Sequence, residues 1–136
     1  MSTDIVSRWP LVIPLPVGPG DCDANGYLAD ATVERMFALA RARYFELCAT
    51  VDASTIEIPR SVVARGDAAV TPGGVTISVS VIEIYAETFT MAARIRPADG
   101  PGVAADARCS ASPGGDVTDA MRDEFIALAH AARHTH

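Results

Sequence analysis

Most of the polar turn residues that could do chemistry lie in one short segment, which runs from Gly20 to Asp30. It holds two well-placed carboxylates, Asp23 and Asp30, within eight residues, and between them the turn dipeptide Asn25-Gly26. A carboxylate such as Asp23 can attack an acyl carbon directly or activate a water molecule. It can equally be a turn residue that bonds its own backbone. The residue types alone leave both interpretations of Asp23 open.

The polar segment leads directly into the one long helical pattern of the sequence, from Ala31 to about Cys48. Its apolar residues recur at steps of three and four, as in an amphipathic helix: Val33, Phe37, Ala40, Tyr44 and Leu47. Asp30 is the predicted N-cap of this helix. The unpaired N–H groups at a helix start carry partial positive charge and can stabilise a developing oxyanion.

The elements around this helix show mainly a period of two. Strands are predicted at Trp9–Val17, Ile56–Arg65, Val75–Val81, Phe89–Ile95 and Val103–Ala111, with a turn at Pro72-Gly73-Gly74 and a second helix at Val117–Ala132. The first strand contains three prolines, which predicts an edge strand. A slip in parity at Val81-Ile82 predicts a β-bulge. The order predicts an α+β fold, with an antiparallel sheet packed on one long helix in a single domain spanning residues 1–136.

Composition narrows the possible partners. The chain has 136 residues, 49% of them hydrophobic and 21% charged, which indicates a globular domain. Eleven basic residues, all arginine, against seventeen acidic ones give a net charge of −6, which disfavours nucleic acid and anionic membranes as partners. Without an apolar run of roughly 18 residues, no signal peptide or membrane span is predicted, and a cytoplasmic location is expected.

Cysteine and histidine spacing argues against several kinds of catalytic or metal centre. Three cysteines without a C-x-x-C pair disfavour a disulfide framework and structural zinc. The three histidines, His130, His134 and His136, all fall in the last seven residues, so a Ser-His-Asp or Cys-His hydrolase is not expected. His130 and His134 share a helix face but lack a third ligand, which favours a solvated tail, and no metal is predicted.

The segment Gly20-Asp21-Cys22-Asp23-x-x-Gly26, followed by four residues and a long helix, resembles the 4-hydroxybenzoyl-CoA thioesterase group of the hot-dog superfamily. The order of elements matches over roughly Leu11 to Ala111. The resemblance implies a hot-dog fold, in which an antiparallel sheet wraps around one central helix, here with an added C-terminal helix. It also implies hydrolysis of acyl-CoA thioesters, with no cofactor beyond the CoA of the substrate, and assembly into dimers or tetramers with sites at the subunit interface.

Carried over residue by residue, the resemblance implies that Asp23 is the catalytic carboxylate and that the backbone amide of Asp30 polarises the thioester carbonyl. Asn25 and Gly26 shape the turn, with Gly26 allowing close approach of a ligand. Tyr27 either lines an acyl pocket or covers the helix end. Five arginines are candidate contacts for CoA phosphates: Arg60, Arg65, Arg94, Arg96 and Arg108.

Two departures from the pattern keep an alternative open. Position 30 holds an acid where relatives often have His or Asn, and the stretch Ala38–Arg41 lacks the Glu that relatives often carry in this helix. These differences favour a non-catalytic hot-dog module that binds an acyl thioester or a related apolar ligand. An unrelated α+β ligand-binding fold is a third possibility.

Overall fold

A computed structural model of the chain describes residues 9–70 and 74–134. Within these ranges the strands are β1 (Leu11–Leu15), β2 (Glu57–Arg65), β3 (Val75–Ile84), β4 (Phe89–Pro97) and β5 (Ala105–Ser112), and the helices are α1 (Asp30–Glu46) and α2 (Asp119–His134). The strands form one antiparallel sheet in the order β1-β3-β4-β5-β2, which confirms the predicted α+β architecture. The first eight residues and most of the predicted turn at 72–74 lie outside the described residues.

The core lies between α1 and one face of the sheet, which we call the inner face. On β3 the inner-facing Val75, Ile77 and Val79 are at most 1% exposed. On β5 the inner face is made of small residues, and Ala107 and Ala111 are at most 3% exposed. Small side chains let a helix approach a sheet closely, and α1 contacts both β3 and β5.

The sheet has two edge strands, β1 and β2. Pro14 lies within β1 and cannot donate to a ladder, so its place at the edge fits the prediction. The register of β3 against β4 shifts between Val81 and Glu83, which confirms the predicted bulge. A second shift, between Glu57 and Arg60 of β2, brackets the proline in that strand.

The register of β2 against β5 decides which side chains of β2 face α1. Ser61 lies opposite the buried Cys109, and Arg65 lies opposite the buried Ala105. Directly paired residues project to the same face of a sheet, so Ser61 and Arg65, with Val63 between them, lie on the inner face. Ser61 and Arg65 are nevertheless exposed, although α1 contacts this edge strand and Val63 packs against the core.

The second helix closes one end of the core. Phe125 of α2 packs at ring-centroid distances of 4.8 Å from Phe89 and 6.2 Å from Tyr44. Beside it, the Glu124 carboxylate accepts hydrogen bonds from the N–H groups of Ala49 and Thr50, which follow α1. No helix in the described ranges is long and apolar enough to cross a membrane.

Candidate active site

The polar segment before α1 folds into a tight hairpin-like loop. Cys22 and Leu28 form an isolated antiparallel bridge, and the Asp23 N–H donates to the Tyr27 carbonyl at 2.8 Å. The Gly26 N–H closes a turn onto the Asp23 carbonyl at 3.1 Å, and Gly26 has a φ of +86°, which favours glycine. The loop therefore brings Asp23, Asn25, Gly26 and Tyr27 together.

The Asp23 carboxylate has one oxygen bound to the loop itself. Its Oδ1 accepts hydrogen bonds from the N–H groups of Asn25 at 2.8 Å and Tyr27 at 3.1 Å. These backbone bonds, with the charge of Arg65, hold the pKa of Asp23 below the value of 3.8 that is usual for aspartate. Asp23 thus does serve as a turn residue, and it is ionised at neutral pH. A catalytic role is compatible with this arrangement through the other oxygen.

That other oxygen, Oδ2, faces Arg65. The Arg65 guanidinium lies 3.3 Å from it, and the two side chains are 47% and 32% exposed. The same guanidinium lies 5.6 Å from the centroid of the Tyr27 ring, so Tyr27 sits under the ion pair. Sequence reasoning counted Arg65 only among candidate phosphate contacts. The side-chain parity of β2 could have separated Arg65 from the others.

Helix α1 starts without a side-chain cap. The prediction that Asp30 is the N-cap is wrong by one position: Ala29 is the N-cap, with φ −69° and ψ 149°, and Asp30 is the first helical residue. The N–H of Ala29 is bound to the Asp21 carbonyl at 3.1 Å, which holds Ala29 in the extended conformation that starts the helix. The first intrahelical bond runs from the Val33 N–H to the Ala29 carbonyl.

As a result, the first N–H groups of α1 remain available. Those of Asp30, Ala31 and Thr32 have no hydrogen-bond acceptor in the described part of the chain. Asp30 and Ala31 are exposed, so their N–H groups can reach a ligand. The Asp30 backbone is thus free to donate, and its side chain does not cap its own helix.

Asp21 fixes the loop to the helix. Its Oδ1 accepts from the Arg35 guanidinium of α1 at 2.8 Å, and its Oδ2 accepts from the Gly18 N–H, also at 2.8 Å. Asp21 therefore sets the distance between the Asp23 loop and the start of α1. Sequence reasoning assigned no role to this residue.

The thiols are poorly suited to nucleophilic catalysis. Burial raises the pKa of Cys48 to about 12 and also raises that of Cys109. Partial burial and the charges of Asp21 and Asp23 raise the pKa of Cys22, as expected for a packing residue. No three His, Cys, Asp or Glu side chains within residues 9–70 and 74–134 are placed to hold a metal ion. His130 lies on α2, whereas the His134 side chain and His136 lie outside the described residues.

The other four candidate arginines lie on a different face of the sheet from Arg65. Arg60, Arg94, Arg96 and Arg108 pair with outward-facing residues, so they lie on the outer face of the sheet, opposite α1. A cavity of about 520 Å³ on this face is lined by Arg60, Val62, Thr90 and Arg108 among others. The Asp106 carboxylate at its edge is bound by Arg94 at 2.8 Å. The candidate phosphate contacts therefore separate into Arg65 and an outer-face group.

Comparison with solved structures identifies the fold. A thioesterase from Thermus thermophilus, solved with coenzyme A and Zn, is similar over 90% of this chain and 96% of that chain, with a TM-score of 0.77 and 19% identity. A structure titled a predicted thioesterase, from Bacillus stearothermophilus, covers 87% of this chain and 95% of that one, with a TM-score of 0.71 and 16% identity.

A gentisyl-coenzyme A thioesterase is also similar, over 85% of this chain and 99% of that chain, with a TM-score of 0.68 and 16% identity. No protein-family model matches the sequence, and no curated protein matches it. At these low identities the likeness establishes the fold. The chain has the hot-dog fold of thioesterase-like proteins, which confirms the fold that the sequence motif implies.

Proposed function

We propose that this protein hydrolyses acyl-CoA thioesters, with Asp23 as the catalytic carboxylate and the first N–H groups of α1 as oxyanion donors. The observation that carries the proposal is the open start of α1, whose free N–H groups lie within eight residues of a carboxylate held in a fixed conformation. Similar folds in structures named as thioesterases, one of them solved with coenzyme A, support the same reaction class.

In the proposed reaction, Oδ2 of Asp23 attacks the thioester carbon, and the carbonyl electrons move onto the oxygen. The N–H groups of Asp30 and Ala31 bind that oxyanion. The C–S bond then breaks and CoA leaves as a thiolate. Water hydrolyses the acyl–Asp23 anhydride, which releases the acid and restores the carboxylate.

The lowered pKa of Asp23 bears on whether it attacks the thioester directly or acts as a general base. A weakly basic carboxylate has little driving force to take a proton from water, because general bases work best with a pKa near the working pH. Direct attack requires only the ionised form, which Asp23 keeps down to acidic pH because its pKa lies below 3.8. We therefore assign Asp23 to direct attack rather than to general base catalysis.

A specific observation favours the second candidate, a module that binds an acyl thioester without hydrolysing it. Each Asp23 oxygen already has a partner, two N–H groups on Oδ1 and Arg65 on Oδ2. The Asp30 carboxylate in the first turn also opposes a second negative charge at the helix start. Saturable binding of acyl-CoA without turnover would select this candidate.

The test is a panel of acetyl-, hexanoyl-, palmitoyl-, benzoyl- and phenylacetyl-CoA, followed by loss of thioester absorbance. Asp23→Asn keeps an acceptor oxygen for the loop N–H groups, so we expect a folded protein that still binds acyl-CoA. Its turnover should be lost, because the neutral amide cannot attack the thioester carbon as the carboxylate does. Asp99→Asn, at an exposed loop acid, is the matched control. Turnover that is unchanged in Asp23→Asn would contradict the assignment.

We further propose that the protein self-associates as a dimer or tetramer in the cytoplasm. The edge strand β2, with Arg65 and the adjoining site, has backbone groups that a second copy can pair. The three cysteines are free thiols, which suits a reducing compartment. Sedimentation velocity tests the assembly, and a monomer at micromolar concentration would contradict it.

A further inference from the structure

Helix α1 leaves part of the inner face of β2 uncovered. The inner-facing residues of β2 are Ser61 and Arg65, both exposed, and the half-buried Val63 between them. Their partners on β5 are at most 3% exposed. We call the surface formed by Ser61 and Val63, beside α1, the open strip.

A cation lies at each end of the open strip. At one end, Arg65 contacts Asp23. At the other end, Ser61 lies opposite Cys109, whose thiol pKa is raised by burial and in part lowered by the charge of the nearby Arg41 of α1. Arg65 and Ser61 are four residues apart in an extended strand, so the strip is about 13 Å long.

Arg41 is a half-buried cation without a carboxylate. Its guanidinium carbon lies 4.6 Å from the centroid of the Phe37 ring, and Phe37 is 0% exposed. No acidic side chain in the described residues forms an ion pair with Arg41. An aromatic face and a thiol are weak partners for a guanidinium, which binds carboxylates best through two parallel hydrogen bonds. The position is therefore complementary to an anion.

The position of the Arg41 guanidinium along α1 sets the distance that a ligand must span from the helix start. Long helical side chains lean toward the helix N-terminus, and the contact of Arg41 with Phe37, one turn earlier, follows this rule. The guanidinium thus lies level with a residue seven positions after Asp30. At the rise of an α-helix, that is about 10 Å from the helix start.

We propose that the acyl group of the substrate carries a carboxylate at its far end, which Arg41 binds. The inference rests on the proposed function, because it places the thioester carbonyl at the start of α1. The acyl chain then runs along the open strip, where the half-buried Val63 contacts its methylene groups. Its distal carboxylate reaches the guanidinium about 10 Å away. An acyl chain that ends in a methyl group leaves Arg41 without an anion.

The test compares suberyl-CoA, whose eight-carbon acyl group ends in a carboxylate, with octanoyl-CoA, which has the same length and a methyl end. Dissociation constants are measured calorimetrically in an Asp23→Asn background, and turnover is measured with Asp23 intact. We expect suberyl-CoA to bind at least about tenfold more tightly. Arg41→Met should abolish this preference and leave octanoyl-CoA binding within about threefold. Arg43→Met, at an exposed arginine of the same helix, should keep it.

The outcomes separate the two proposals. If the protein hydrolyses neither these two esters nor any ester of the five-member panel, the proposed thioesterase function fails, and the dissociation constants still decide the role of Arg41. Equal affinity for the two ligands, or a preference that survives Arg41→Met, overturns the substrate class. Sedimentation of the same variants adds a check. A change in assembly without a change in preference would assign Arg41 to a subunit contact and overturn its role in binding.

Discussion

Glu124 of α2 holds the segment that follows α1, and its replacement by glutamine tests this contact. The carboxylate accepts from the Ala49 N–H at 2.8 Å through Oε2, and from the Thr50 N–H at 2.9 Å and the Thr50 hydroxyl through Oε1. Glutamine has one acceptor oxygen, so an NH₂ group must face a donor. Hydrogen bonds to charged groups contribute about 1.5–3 kcal/mol, and solvent exposure favours the lower end. We expect Glu124→Gln to lower the free energy of unfolding by about 1.5–2 kcal/mol.

The loss of unfolding free energy in Glu124→Gln should depend on pH in a defined direction. Burial raises the pKa of Glu124, but hydrogen bonds from Thr50 and Ala49 outweigh it, so the pKa lies below the usual 4.5. A group with a lowered folded-state pKa stabilises the protein above its unfolded pKa, and this stabilisation is lost as pH falls through the folded value. The difference between Glu124→Gln and the parent should therefore be full at neutral pH and shrink below about pH 4.5.

Urea unfolding followed by circular dichroism at neutral and acidic pH measures both effects. Asp123→Asn is the matched control, because Asp123 is an exposed acid next to Glu124 whose side chain has no hydrogen bond or ion pair to another described residue. The reasoning is refuted if Glu124→Gln destabilises no more than Asp123→Asn does. It is equally refuted if the loss is the same at pH 7 and pH 3.

Two further substitutions test the packing. A Cβ at Gly66 would clash with the Val103 carbonyl oxygen. Gly66→Ala should therefore lower the free energy of unfolding, measured in urea, by at least about 2 kcal/mol. Gly100→Ala is the control and should cost far less, because a Cβ at Gly100 would lie in open space. The Tyr44 hydroxyl is buried and has no hydrogen-bond partner in the described part of the chain. Tyr44→Phe should therefore raise the free energy of unfolding by about 1 kcal/mol, and a loss of stability would show that the hydroxyl is satisfied.

The sequence predicts the elements well where burial follows a local period. The three- and four-residue spacing of Phe37, Ala40 and Tyr44 predicts α1, and all three side chains are 0% exposed. The parity slip at Val81 becomes a register shift at the same point. These signals are reliable because one face of each element contacts the core, and the residue order records that face directly.

The start of α1 could not be predicted to the residue. Aspartate is favoured at an N-cap, which led to Asp30. The bond from the Ala29 N–H to the Asp21 carbonyl and the bridge between Cys22 and Leu28 instead place the extended residue at Ala29. These are backbone contacts within a loop, and residue preference gives no information about them.

The partner of Asp23 was beyond sequence reasoning for a different reason. Arg65 reaches it only because β2 pairs with β5 in a register that places Arg65 on the inner face. The register is continuous from Arg60 to Arg65, so parity separates these two arginines but does not show which of them meets the Asp23 loop. A contact that depends on non-local pairing leaves no periodic trace that identifies the partner.

The raised thiol pKa values have a consequence for a protein proposed to release a free thiol at every turnover. Disulfide exchange requires a thiolate, and burial shifts the thiols of Cys22, Cys48 and Cys109 toward their neutral form. Coenzyme A that has been oxidised to a disulfide therefore finds no ready attacking group on this chain. The folded protein should resist capture as a mixed disulfide with its own product, so its activity should withstand a shift toward oxidising conditions without a dedicated reductant.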